Sequence, residues 1–165
     1  MSRSTRAILS LCLAGLGAGA AFAAPVAPAH TLTTEGGRKV IAAALEYARS
    51  HAAPGGAIAV VDAGGAVVVF ERLDGTFPAA SRVAIGKAQT SAWFKKPTKV
   101  FEDAVNGGRT TMVALPDFTP LQGGVPLVFD GETLGAVGVS GSASAQQDEE
   151  IALAGAAVLS ADSGR

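Results

Sequence analysis

Apolar and polar residues recur along this chain with two different periods, and the places where the period changes mark its elements. Val40, Ile41, Ala44, Leu45 and Ala48 repeat at helical spacing on one face. Thr33 stands just before them as an N-cap, its hydroxyl able to accept a free backbone N–H. Glu35 lies in the first turn, where the helix dipole favours an anion. Pro54-Gly55-Gly56 closes this helix. Two strand–turn–strand units follow, far apart in sequence. The first runs from Ala57 to Asp62, turns through Ala63-Gly64-Gly65 and continues from Ala66 to Leu73. The second runs from Val125 to Phe129, turns through Asp130-Gly131-Glu132 and continues from Thr133 to Ser140. Gly-Gly and Asp-Gly between β-branched runs are hairpin signals. Val60, Val61, Val67, Val68, Val69 and Phe70 are apolar without strict alternation. That pattern predicts strands packed on both faces, or on a helix layer and a partner subunit.

Between the hairpins the period is helical again. Ala79 to Phe94 forms one helix, with Val83, Ala84, Lys87, Ala88 and Ser91 along it. Pro97-Thr98 breaks it and starts a shorter helix from Lys99 to Asn106, which Gly107-Gly108 ends. Met112 to Leu115 reads as a further short strand, and Pro116 to Gly124 as a loop. Asp148 to Ala161 is a last helix that buries Ile151, Ala152, Ala156 and Leu159. The order helix, hairpin, helices, hairpin, helix predicts a single α+β domain over residues 33–162. Its mainly antiparallel sheet would have about five strands, with helices on one face.

The first residues follow a different logic. Arg3 and Arg6 precede a short, small-residue apolar run from Ala7 to Ala20, and Ala21-Phe22-Ala23 supplies a small-x-small exit. These are the three parts of a secretory signal, here residues 1–23, with 24–32 as a tether. A membrane-spanning helix needs about 20 apolar residues, more than this run offers, and no later stretch is long enough either. The expectation is an exported protein, periplasmic or secreted, without a membrane span after processing. Cys12 is the only cysteine, so the processed chain has neither disulfides nor thiolate metal sites. Loss of Arg3 and Arg6 takes the formal net charge from −1 to −3. With no basic stripe and few aromatics, nucleic-acid binding has no electrostatic support.

Six short motifs line up in order: Ala59-Val60-Val61-Asp62-Ala63-Gly64-Gly65, Phe70-Glu71-Arg72-Leu73-Asp74-Gly75, Lys87-Ala88, Gly123-Gly124-Val125-Pro126-Leu127, Gly135-Ala136-Val137-Gly138-Val139-Ser140-Gly141 and Asp148-Glu149. In this order and spacing the chain, from Thr31 to about Leu159, resembles the GlcG/HbpS-like haem-binding family. That family includes the C-terminal domain of PduO-type corrinoid adenosyltransferases. The resemblance implies a profilin-like fold, with a central antiparallel sheet flanked by helices. It also implies homo-oligomers, octamers among them, and in some members haem binding, haem degradation or iron handling.

Haem needs an apolar slot, cations for its propionates and usually an axial side chain. With cysteine gone, His30, His51, Tyr47 and Met112 remain as axial candidates. His51 and Tyr47 are one helical turn apart and share a face. His51 as the ligand of haem iron stands against His51 as a solvent-facing histidine that complements the helix C-terminus. His30 lies in the tether, where a surface residue is the plainer reading. Lys87, Arg72 and Arg109 are the candidate cations. Lys87 is set among apolar neighbours; its amine either binds a carboxylate or propionate, or its stem lies along apolar surface with the charge in water. Asp62 precedes a turn, so turn chemistry competes with a catalytic role for it. Gly124 leads into a strand and not a helix, which disfavours a phosphate cradle. No Ser-His-Asp set, metal triad or HExxH motif is visible.

The leading expectation is therefore an exported homo-oligomer that binds haem or a similar tetrapyrrole, in sequestration, sensing, iron supply or breakdown, more binding protein than enzyme. A second reading is an enzyme acting on a small hydroxy or carboxylic acid, with Lys87 and Arg109 holding the carboxylate and Asp62 or Lys87 in a catalytic role. A third is an oligomeric scaffold without catalysis.

Overall fold

The computed structural model describes residues 28–162. The expected leader at 1–23 and the first residues of the expected tether lie outside them. Helix α1 (Thr34–Ser50) starts at Thr33, whose Oγ1 accepts from the Gly36 N–H at 3.0 Å. Strands β1 (Ala57–Asp62) and β2 (Val67–Arg72) form the first hairpin, followed by α2 (Ala80–Phe94) and α3 (Lys99–Asn106). Strands β3 (Gly124–Phe129) and β4 (Glu132–Ser140) form the second hairpin, and α4 (Ala145–Asp162) ends the domain.

The sheet has the order β2-β1-β4-β3 and every pair is antiparallel. The two hairpins are joined by β1 and β4, which pair from Ala57 opposite Ser140 to Asp62 opposite Gly135. Because side chains alternate across a strand, β1 serves two cores at once. Ile58 and Val60 join Val137, Val139, Val125 and Leu127 under α1 and α4. Each such aliphatic side chain contributes roughly 1.5–3 kcal/mol on burial, so this face carries most of the apolar stabilisation. Ala57, Ala59 and Val61 face the other way, with Ala136, onto Ala80, Ala84, Ala88 and Ala92 of α2.

Three details differ from the sequence expectations. Helices cover both faces of the sheet, not one. The second face is built of alanine and glycine, which a hydrophobic pattern registers weakly, although small residues are what let a helix lie close to a sheet. The sheet has four strands, not about five. Residues Thr110–Ala114 form a 3-10 turn in which Met112 N–H bonds Arg109 O and Leu115 N–H bonds Met112 O. Val113 and Leu115 are exposed there, and without a neighbouring strand to pair with, the segment satisfies its backbone locally. Finally, Val60 and Val61 are fully buried, but Val67 and Phe70 on the edge strand β2 face outward.

Gly138 shows how close α2 comes. A Cβ there would stand 2.2 Å from Ala84 O and 2.6 Å from Ala88 N, backbone atoms that cannot swing away. Gly138→Ala is expected to cost at least about 1–3 kcal/mol by overpacking, read as a lower urea midpoint. An unchanged midpoint would mean that α2 sits farther from the sheet.

Candidate functional site

Lys87 reaches from α2 into the space between β4 and α4 and is only 3% exposed. Its Nζ donates to Val139 O at 2.8 Å and to Asp148 Oδ2 at 2.9 Å. The other Asp148 oxygen accepts from Ser142 N–H at 3.0 Å and Ser142 Oγ at 2.6 Å. Asp148 lies in the first turn of α4, where the dipole supports its negative charge. Gly123 closes over the pair. A Cβ there would stand 3.0 Å from Lys87 Nζ and 2.9 Å from Asp148 Cβ, and its φ of +121° already favours glycine. The amine is thus neither open to a ligand at the surface nor in water; the fold itself supplies its carboxylate. Breaking such a pair strands a buried charge. Asp148→Ala is expected to lose about 3–5 kcal/mol in urea unfolding, and Lys87→Met combined with Asp148→Leu to recover much of it.

Tyr47 and His51 meet at the C-terminal end of α1. Their rings stack with centroids 3.8 Å apart and planes 11° apart. His51 Nδ1 lies 2.9 Å from Tyr47 O and 3.0 Å from Ser50 Oγ, and His51 O accepts from Gln147 Nε2 at 3.1 Å. The Tyr47 hydroxyl donates to Glu150 Oε2 at 3.5 Å. Partial burial, then the Glu150 charge and hydrogen bond, raise the Tyr47 phenol above its usual range. Tyr47 is the only tyrosine, so ultraviolet titration reads it alone. Its midpoint is expected above the ordinary value of about 10 and is expected to fall in Glu150→Gln; an identical midpoint in both would remove Glu150 as a cause.

The remaining sequence candidates stand apart. The Arg72 guanidinium donates through Nη2 to Thr76 O at the end of β2. Asp62 Oδ1 accepts from the N–H groups of Gly64 and Ala66 at 2.9 and 3.0 Å, which is hairpin-turn chemistry. Arg109 is exposed at the start of the 3-10 turn, and Met112 is half-buried within it. Among the described residues no hydrogen bond or ion pair joins Lys87 to Asp62, Arg72, Arg109, Tyr47 or His51.

His30 is placed differently from a plain tether residue. Its Nδ1 lies 3.0 Å from Glu132 Oε2, and its ring meets Phe129 edge-on at 5.5 Å. Hydrogen bonds from the His30 ring and then its backbone N–H hold the Glu132 carboxyl below the usual carboxylate range. The imidazole lines a cavity of about 210 Å³ whose apolar wall is Leu32, Phe129, Leu134 and Leu159. Glu132 and Phe129 were not legible as His30's neighbours, being about a hundred residues away in sequence. Asp148 was visible as a motif residue but not as the partner of Lys87.

A four-stranded antiparallel sheet between helical layers, with an imidazole–carboxylate pair over an apolar cavity, defines a small ligand-binding α+β domain. The family model described as "Haem degrading protein HbpS-like" matches residues 32–157, and the chain belongs to this family. It is 47% identical over 83 residues to Protein GlcG of Escherichia coli, a match spanning 50% of this chain and 62% of GlcG; less than two thirds of that relative is therefore covered. A crystal structure of a double mutant of Streptomyces reticuli HbpS is similar, with a TM-score of 0.74 and 34% identity over 84% of this chain and 98% of that one. So is a PduOC:haem complex, with a TM-score of 0.70 and 27% identity over 78% of this chain and 94% of the other.

Proposed function

We propose that this protein is an exported homo-oligomer that binds haem, or a tetrapyrrole like it, in haem or iron sequestration, sensing or breakdown. Family membership and the likeness to a haem-bound relative support haem as the ligand class. The observation that carries the reading is the His30–Glu132 pair. Metal-binding histidines commonly tie their second ring nitrogen to a carboxylate, which fixes the ring and raises the basicity of the free nitrogen. Nδ1 is held by Glu132 in this way, and Nε2 has no protein partner among the described residues. His30 would hold a bound haem through Nε2, and because the porphyrin itself supplies most of the iron's donors, one protein donor suffices. Among the described residues no cluster of three His, Cys, Asp or Glu side chains suits a bare metal ion. Leu32, Phe129, Leu134 and Leu159 offer the apolar contact that the macrocycle needs.

The cavity in one chain is below the roughly 300–1,000 Å³ of typical small-molecule pockets. It would therefore take only part of a tetrapyrrole, and a second copy covering the rest would give an oligomeric holo form. His51 and Tyr47 form the competing ligand pair, but their rings are already stacked on one another. The Arg3/Arg6 leader pattern supports export to a periplasm or beyond.

Haemin titration of the processed protein, followed at the Soret band, tests the site. A saturable shifted band is expected for the unaltered protein, His51→Ala and Tyr47→Phe. It is expected to vanish in His30→Ala and to weaken about 10–100-fold in Glu132→Gln. Loss in His51→Ala with retention in His30→Ala would move the ligand to the end of α1. An unsaturable change, equal in every variant, would leave haem contact adventitious.

A further inference from the structure

A larger cleft lies on the outer side of α2, among residues that the haem reading does not use. Its volume is about 430 Å³, within the range of small-molecule pockets. One wall is α2, through Arg82, Ile85, Gly86 and Gln89. The other is the loop from Leu115 to Thr119, with Asp117 and Phe118 facing in. This loop is not loosely draped. Thr119 N–H donates to the fully buried Thr90 hydroxyl at 2.8 Å. Phe118 belongs to a triangle of edge-on rings with Phe94 and Phe101, each pair 5.2 Å apart. Gly86 lets the loop sit on the helix, since a Cβ there would come within 2.3 Å of Thr119 Oγ1. The cleft is therefore held open by structure on both sides.

Its charges are arranged to receive something. Arg82 and Asp117 both line it, yet neither has an ion-pair or side-chain hydrogen-bond partner among the described residues. Opposite charges that share a cleft without pairing leave one cation and one acceptor for a ligand. Arg82 lies in the first turn of α2, which carries no acidic residue and no side-chain cap, so the positive end of the helix adds to the guanidinium. Asp117 is held at φ +55°, a left-handed turn conformation that aspartate tolerates better than most residues. Gln89 commits its amide N–H to Gly65 O and leaves its carbonyl oxygen as a further acceptor. Ile85, Leu115 and Phe118 provide the apolar surface.

We propose that this cleft is a second binding site, separate from the His30 cavity. It takes a small carboxylic acid that also carries a hydroxyl or amine donor and an apolar body. The carboxylate sits on Arg82, the donor on Asp117 and the body against Phe118 and Ile85.

Isothermal titration with 3-phenyllactate as the probe tests this, with 3-phenylpropionate (no hydroxyl) and 3-phenyllactamide (no carboxylate) beside it. Saturable binding of 3-phenyllactate is expected, at least about tenfold tighter than either analogue, as for loss of one hydrogen bond to a charged group. Arg82→Ala is expected to abolish the preference over 3-phenyllactamide, and Asp117→Gly the preference over 3-phenylpropionate. Both residues are at the surface and glycine suits the Asp117 backbone, so an unchanged thermal midpoint checks that the variants fold. Haemin saturation of the His30 site is expected to leave the titration unchanged in the unaltered protein, and Arg82→Ala to leave the Soret titration unchanged. No saturable binding at millimolar probe, equal binding of all three probes, or displacement by one equivalent of haemin would each overturn the proposal.

Discussion

The ammonium of Lys87 has left water, and three separate elements are arranged around that fact. Removing a cation from solvent costs several kcal/mol unless a counter-charge and further hydrogen bonds replace its hydration. Asp148 brings the counter-charge from the first turn of α4, Val139 brings a carbonyl from β4, and Ser142 holds the carboxylate from its other side. The approach works only because Gly123 has no side chain. One pair thus ties the helix on one face of the sheet to a helix on the other, past the end of the strand between them. The positions of α2, α4 and the strand ends follow from it together.

The two faces of the sheet are stabilised in different ways. Under α1 and α4 the strands present valine, leucine and isoleucine, and the stabilisation is apolar area removed from water. Under α2 they present alanine and glycine, and what matters is close fit. The short distance between α2 and the sheet is what brings Lys87 within reach of β4. It also leaves the outer side of α2, with Arg82, Gly86 and Gln89, free to form a cleft wall. The pinned loop opposite it, held by Thr90 and the phenylalanine triangle, makes that cleft a property of the fold.

The chemistry lies at the periphery. The His30 cavity is formed where the start of the chain crosses the β3–β4 hairpin and α4, and the second cleft lies on the opposite side, against α2. The apolar site suits a flat macrocycle with one axial ligand. The polar cleft suits a small acid. Asp62 and Arg72 are engaged with backbone groups around their own turns, and Arg109 is exposed apart from both cavities.

Local pattern determined much of this protein. The helix cap at Thr33, both hairpins, the break at Pro97 and the short helix after it are set by residues close in sequence, because caps, turns and periodicity act over a few positions. Family membership was legible for the same reason, since its motifs are short runs around turns and strand ends. Tertiary structure alone decided which charges meet. Lys87 and Asp148 are 61 residues apart and His30 and Glu132 are 102 apart, and no local rule links them. The second helical layer also escaped the pattern, because alanine and glycine signal weakly as core residues while permitting the closest packing. The supposed strand at Met112 failed because a strand exists only where a neighbour offers its edge, and that depends on how the whole chain folds.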